Sequence, residues 1–223
     1  MSGSPGRPLS AELSEQLLAV AVDILADEGW GKLNSDRVAA RARAGKAGIY
    51  RRWPTMAAMA RSAVGRFTLV RVPPDQGSLR DDLAALVDRW RRPLDREERA
   101  AASLVGAARH EEDLRAGLDS ALVRPLAEAV QAIGARAAAR GQRVPAARLA
   151  LLGSVIEAFW WQRYTSDRGA MGRKEVQRVL DEVLLPVVVP DQERATVRLG
   201  RCALSRCAAA CRRSAGAAWR RAR

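Results

Sequence analysis

The stretch 33–53, LNSDRVAARARAGKAGIYRRW, constrains this chain more than any other. It holds two short helical patterns around a tight turn. Pro54 fixes its end, because proline disfavours helical geometry in the residue before it. A helix of about eight residues is not stable alone, so neighbouring helices must brace this one. Between Ser35 and Arg71 the chain carries nine Lys/Arg against a single acid, Asp36. Two short braced helices with a cationic outer surface are suited to presenting one helix to a DNA major groove.

The braces can be placed. A first helix begins near Ser10, and Leu13, Leu17, Val20, Ala21 and Ile24 recur at helical spacing to form one apolar face. Asp27, Glu28 and Gly29 close it, with Gly29 in the stop position. Asn34 is a good N-cap for the second helix, and Asp36 in its first turn complements the helix dipole. Val38 and Ala39 face inward there, while Arg37 and Arg41 face out. The turn is Ala42 to Ala44, and the third helix starts at Gly45. Ile49 and Trp53 share its packing face; Lys46, Ala47, Tyr50 and Arg51 lie nearer the other face. Thr55 caps a fourth helix expected to run to about Arg71, with Met59, Ala63, Phe67 and Val70 on its apolar side.

Charge divides the 223-residue chain unevenly. The formal net charge is +13, which suits a polyanionic partner but also an acidic membrane surface or plain solubility. Residues 190–223 hold nine Arg against Asp191 and Glu193. Outside this tail and the basic block, the chain is close to neutral. A basic module on a non-basic body implies two tasks. Ala and Leu abound and β-branched and aromatic residues are few, which favours helices over sheets.

Pro73 and Pro74 interrupt the chain after the fourth helix. Beyond them helical patterns cover 78–92, 95–110, 111–140, 145–164 and 173–185, with no alternating strand pattern and no internal repeat. The run 184–190 is apolar and Pro-bounded, and is expected to be an extended closing segment. The division is therefore a Gly/Pro/Ser-rich arm over 1–9, a helix-turn-helix head over 10–71, a helical body over 72–189 and a basic Ala/Arg-rich tail over 190–223. Arg7 of the arm can touch phosphate or lie idle. The tail is expected to be disordered or loosely helical, and can add non-specific nucleic-acid affinity.

Over Val38-Ala39-Ala40-Arg41-Ala42 and Lys46-Ala47-Gly48-Ile49-Tyr50-Arg51-Arg52-Trp53-Pro54, behind the corner Gly29-Trp30-Gly31, the chain resembles the TetR family of bacterial transcriptional regulators. The stretch from Leu114 through Leu185, with Val123-Arg124-Pro125-Leu126 and Phe159-Trp160-Trp161, is similar to one common type of TetR C-terminal domain. The resemblance implies an all-α fold, a three-helix DNA-binding head joined to a helical-bundle domain for ligand binding and dimerisation. It also implies a homodimer formed through the helices near 145–164 and 173–185, and a small-molecule effector that re-spaces two DNA-reading heads. A repressor of a palindromic operator in the bacterial cytoplasm is the expected function.

Carried onto this chain, the DNA contacts fall on Arg43, Gly45, Lys46, Ala47, Gly48, Tyr50, Arg51 and Arg52. The chain departs from the family's pattern in the turn, where Gly is usual and Arg43 stands. It departs again at Gly45 and Gly48, where hydroxyl residues are common, and at Met56, where many relatives carry Lys. Trp90, Phe159, Trp160, Trp161 and Tyr164 are the candidates for an effector pocket, although aromatic residues at helical spacing also serve as plain core or interface.

Other classes fare poorly. There is no Gly-rich phosphate loop after a strand, no nucleophile elbow and no His-carboxylate constellation, so no enzyme is indicated. His110, in the run Arg109-His110-Glu111-Glu112-Asp113, reads as a solvated turn rather than a metal site. Cys202, Cys207 and Cys211 lack paired metal-ligand spacing, so no metal or cofactor is expected. No apolar run is long enough to span a membrane, and the first residues do not read as a signal peptide. The competing expectation is a non-specific nucleic-acid-binding protein acting through basic head and tail.

Overall fold

The computed structural model describes residues 10–166 and 169–188. Arg7 and the three cysteines of the tail lie outside the described residues. Within them the secondary structure is entirely helical. The head comprises α1 (Ala11–Asp27), α2 (Ser35–Ala42), α3 (Lys46–Tyr50) and α4 (Met56–Val64). The body comprises α5 (Leu79–Val87), α6 (Arg96–Ala102), α7 (Glu112–Leu118), α8 (Arg124–Ala139), α9 (Ala146–Thr165), α10 (Arg173–Val179) and α11 (Leu185–Val188).

Side-chain caps set the starts. The Ser10, Asn34, Thr55 and Ser78 side chains each accept a backbone N–H from the first turn of their helix. Asp95 and Glu98 form a reciprocal capping box at α6. Gly29 follows α1 with φ +83°, a conformation that glycine adopts without steric cost.

α1 is buried more broadly than a single face predicts. Leu17, Leu18, Ala21, Val22, Ile24 and Leu25 are all buried, whereas Leu13 and Val20 only pack at the edge. The reason is that α1 packs on both sides, against α2 and α4 in the head and against α6 in the body. Arg96 of α6 binds Asp23 and the Ala19 carbonyl of α1. Head and body thus share one continuous core.

α3 is shorter than expected, Lys46–Tyr50 rather than about eight residues from Gly45, and three other expected elements change. α4 ends at Val64 rather than near Arg71. Gly65 closes it, and the chain then turns so that Leu69 and Val70, each 3% exposed, enter the core as a non-helical linker. The helix expected over 95–110 stops at Ala102 and resumes as a short 3-10 turn, Ala107–Arg109. The Ser103 hydroxyl bonds back to the Ala100 carbonyl at this break. Finally, residues 185–188 are helical, not extended.

Prolines explain that last difference. Two π-helical segments, Asp119–Val123 and Leu180–Leu184, join α7 to α8 and α10 to α11. Each ends two residues before a proline, Pro125 or Pro186. A proline in a helix removes one N–H and crowds the carbonyl four residues back. The wider π turn relieves the crowding, so the helix runs on instead of breaking.

Candidate nucleic-acid interface

The recognition geometry starts at the turn. Arg43 has φ 50° and ψ 43°, the only non-glycine at positive φ among the described residues. Ala44 N donates to the Ala39 carbonyl (2.9 Å) and Arg43 N to that of Ala40 (3.3 Å). These are the two bonds of a Schellman stop, whose left-handed position favours glycine. Arginine there costs about 1–2 kcal/mol. From α1, the Gln16 amide donates to the Ala42 carbonyl (3.1 Å), holding the end of α2 in place.

α3 follows directly, capped by the Gly45 backbone without a side-chain bond. Ile49 is fully buried and Trp53 nearly so, and the Trp53 indole donates to the Ser62 hydroxyl (3.0 Å). That anchorage turns the opposite side outward. Arg43, Gly45, Lys46, Ala47, Tyr50 and Arg51 are exposed as one surface, and Gly48 is half-buried.

The side chains on this surface are not equivalent. The half-exposed Tyr50 donates its hydroxyl to Ser35 Oγ (3.1 Å), which tethers α3 to the start of α2. Lys46 pairs with Asp36, and the hydrogen bond that the ammonium donates to that carboxylate holds its pKa above the usual value. Arg52 bends away from the outer surface. Its guanidinium donates to Ser14 Oγ (2.8 Å), to the Gly48 carbonyl (2.8 Å) and to the Ser10 carbonyl (3.2 Å). It ties α3 to the N-terminus of α1.

The basic block is therefore less available than its count implies. Glu28 pairs with both Arg37 and Arg41, Asp113 with Arg61 and Glu15 with Arg66. Within the block, Arg43, Arg51, Arg52 and Arg71 carry no ion pair among the described residues, and Arg52 is already committed inside the head.

In the body, the five aromatic candidates form two groups, Trp90 with Phe159 and Trp160, and Trp161 with Tyr164. Trp90 is fully buried and meets Phe159 at 5.2 Å and Trp160 at 5.7 Å between ring centroids. Trp161 meets Tyr164 edge-on at 6.1 Å and donates to Glu157 (2.8 Å). A cavity of about 230 Å³ lies beside them, with Phe159 and Arg163 in its wall. Among the described residues, the indole N–H groups of Trp90 and Trp160 and the Tyr164 hydroxyl are buried without a hydrogen-bond partner. Burial pushes the Tyr164 phenol well above its usual pKa.

Beneath this cluster lies a feature that the sequence did not disclose. Arg163 Nη1 donates to Glu98 (3.0 Å), both side chains being buried, and Arg89 reaches the same carboxylate (3.2 Å). A second buried acid, Asp82, accepts from Arg140 (2.6 Å) and from Gln76 N (2.8 Å). Only the Asp95-x-x-Glu98 spacing hinted at Glu98, and it did so as a cap.

A braced helix-turn-helix with an exposed cationic helix start, fused to an all-helical body, defines a DNA-binding regulator of the helix-turn-helix class. Residues 17–63 match the family model for bacterial regulatory proteins of the tetR family, and residues 73–183 match the model for a tetracyclin repressor-like C-terminal domain. An HTH-type transcriptional regulator of Mycobacterium bovis is 32% identical over 188 residues, 82% of this chain and 89% of that one. A DNA-binding transcriptional repressor TetR of Mycobacteroides abscessus is 31% identical over 180 residues, 79% of this chain and 94% of that one. Among solved structures, the TetR family transcription regulator SCO0332 superposes with TM-score 0.55 at 22% identity, over 80% of this chain and all of that one. A TetR family regulator from Pseudomonas syringae gives 0.53 at 19% identity, over 80% and 96%. The chain belongs to the TetR family of bacterial transcriptional regulators, and it is not an enzyme. No helix among the described residues is long and apolar enough to cross a membrane.

Proposed function

We propose that this protein is a homodimeric, cytoplasmic repressor whose two heads read a palindromic operator and whose body releases it on binding a small molecule. The observation that carries this reading is the outward surface of α3 and the preceding turn. There Arg43, Gly45, Lys46, Ala47, Tyr50 and Arg51 are exposed while Ile49 and Trp53 fix the opposite side in the core. Arg43, Lys46 and Arg51 supply cations for phosphates and guanine edges. The backbone N–H groups at the helix start, beside Gly45 and Ala47, suit a close phosphate. Gly48 lets the helix approach closely. Arg52 contributes by holding α3 rather than by touching DNA. The head spans 10–71 and the body 72–189.

Dimerisation through α9 and the α10–α11 rod is supported by what those helices leave outside. Leu151 (51% exposed) and Val183 (37%) are large apolar residues facing solvent. On α9, Ala147, Ser154 and Ala158 are exposed at helical spacing with Leu151, and Trp161 is half-exposed. The Arg148 guanidinium donates to the Val187 carbonyl (2.9 Å), which sets the two helices side by side. For the effector, the aromatic group of Trp90, Phe159, Trp160, Trp161 and Tyr164 and its neighbouring cavity are the natural seat.

The test is selection of bound fragments from the native genome, followed by gel-shift titration. The wild-type protein should protect a palindrome selectively. Lys46→Ala should weaken that complex by about tenfold, a loss of roughly 1.4 kcal/mol. Equal affinity for selected and random DNA, or full affinity in the variant, contradicts the proposal.

A further inference from the structure

We propose that Pro125 is a positioning residue for DNA binding, acting through the Ala121 carbonyl that holds the linker between head and body. The proposal rests on the reading above, that two heads address one palindrome.

α7, the π segment Asp119–Val123 and α8 form one rod over residues 112–139. Within it Arg124 N reaches back to the Asp119 carbonyl, a five-residue step. Pro125 has no N–H to offer the Ala121 carbonyl four residues before it. A buried carbonyl needs a donor. One arrives from outside the rod: Leu69 N donates to Ala121 O at 3.1 Å. Leu69 is 3% exposed and lies in the linker between α4 and α5.

The same rod also grips the last helix of the head. A Cβ at Gly117 would lie 3.1 Å from Arg61 Cα, so α4 seats directly on the α7 backbone. Arg61 pairs with Asp113 one turn earlier (3.0 Å). Two successive holds, on α4 at Gly117 and on the linker at Ala121, fix the angle at which the head leaves the body. That angle sets the spacing of the two heads in a dimer. Pro186 provides an internal comparison. It stands in the same register after its own π segment, and no linker bond reaches the carbonyl it leaves free among the described residues.

Pro125→Ala tests the joint in the full-length protein. Alanine is the better helix former, so the rod should persist while its new N–H competes for Ala121. Hydrogen exchange at the Leu69 amide should accelerate at least tenfold, with Ala60 of α4 unchanged. Gel shifts would use a genome-selected operator and versions with one base pair added or removed at its centre. Wild type should prefer the native spacing, and Pro125→Ala should narrow that preference at least tenfold. Pro186→Ala should leave exchange at the Leu69 amide at the wild-type rate. Unchanged exchange at Leu69 overturns the proposal. So does an equal loss of affinity at every spacing, which would mark a general loss of folded protein. If wild type selects no fragment, the repressor reading fails, and the exchange result alone then decides the joint.

Discussion

At the scale of single residues, two arginines near α3 have opposite assignments. Arg43 is exposed, carries no ion pair and sits at positive φ. Arg43→Gly should raise stability by about 1 kcal/mol by removing the steric cost of the left-handed turn, as measured by thermal unfolding. The same change removes a cation from each of the two DNA-facing heads, so the slope of log affinity against log salt should fall by about two. Arg52, with three hydrogen bonds inside the head, should behave differently. Arg52→Ala should cost about 1–3 kcal/mol in unfolding experiments while leaving that slope unchanged. A reduced slope would instead identify Arg52 as a phosphate contact.

At the scale of elements, α3 is the least self-sufficient piece. It spans five residues and includes Gly48, which costs about 1 kcal/mol relative to Ala in a helix. A Cβ at Gly48 would meet only Arg52 Nη1, at an ordinary 3.7 Å. Gly48→Ala should therefore stabilise the head by about 0.5–1 kcal/mol, visible as a higher midpoint in urea. An unchanged or lower midpoint would mean that the Arg52 brace cannot accommodate a methyl group. α4 teaches a different lesson. Its apolar pattern continues past Val64, yet the chain leaves the helix there. Val70 is buried as the pattern requires but Phe67 only half so, and Leu69, outside the pattern, is buried with its N–H on the Ala121 carbonyl of the α7–α8 rod.

At the scale of the whole molecule, buried charge makes stability depend on pH. Burial by itself would raise the Asp82 pKa, but the Gln76 N–H and Arg140 outweigh it and hold the pKa below the usual carboxylate value. The folded state thus binds fewer protons than the unfolded chain. The contribution of Asp82 is complete above about pH 4, the ordinary Asp value, and disappears as pH falls through the lowered folded value. Asp82→Asn should flatten the acid limb of the stability curve. At neutral pH it should lower the unfolding midpoint, because Arg140 loses its buried partner and keeps the exposed Asp75 in its place. An unchanged acid limb would show that Asp82 is not the group responsible. The origin of these pairs also explains what was legible in the sequence. The helix start near Ser10, the caps at Asn34 and Thr55, the stop at Gly29 and the inward faces at Val38, Ile49 and Trp53 were all readable, because each depends on residues within about one helical turn. The sequence by itself thereby determined an all-helical chain with a braced cationic helix near its start. Tertiary structure alone decided which cations face outward, because Glu28, Asp113 and Glu15 neutralise arginines 13, 52 and 51 residues away. It also decided where α4 ends and what receives the Ala121 carbonyl. Those choices depend on burial and on donors supplied by distant segments, which no local pattern encodes.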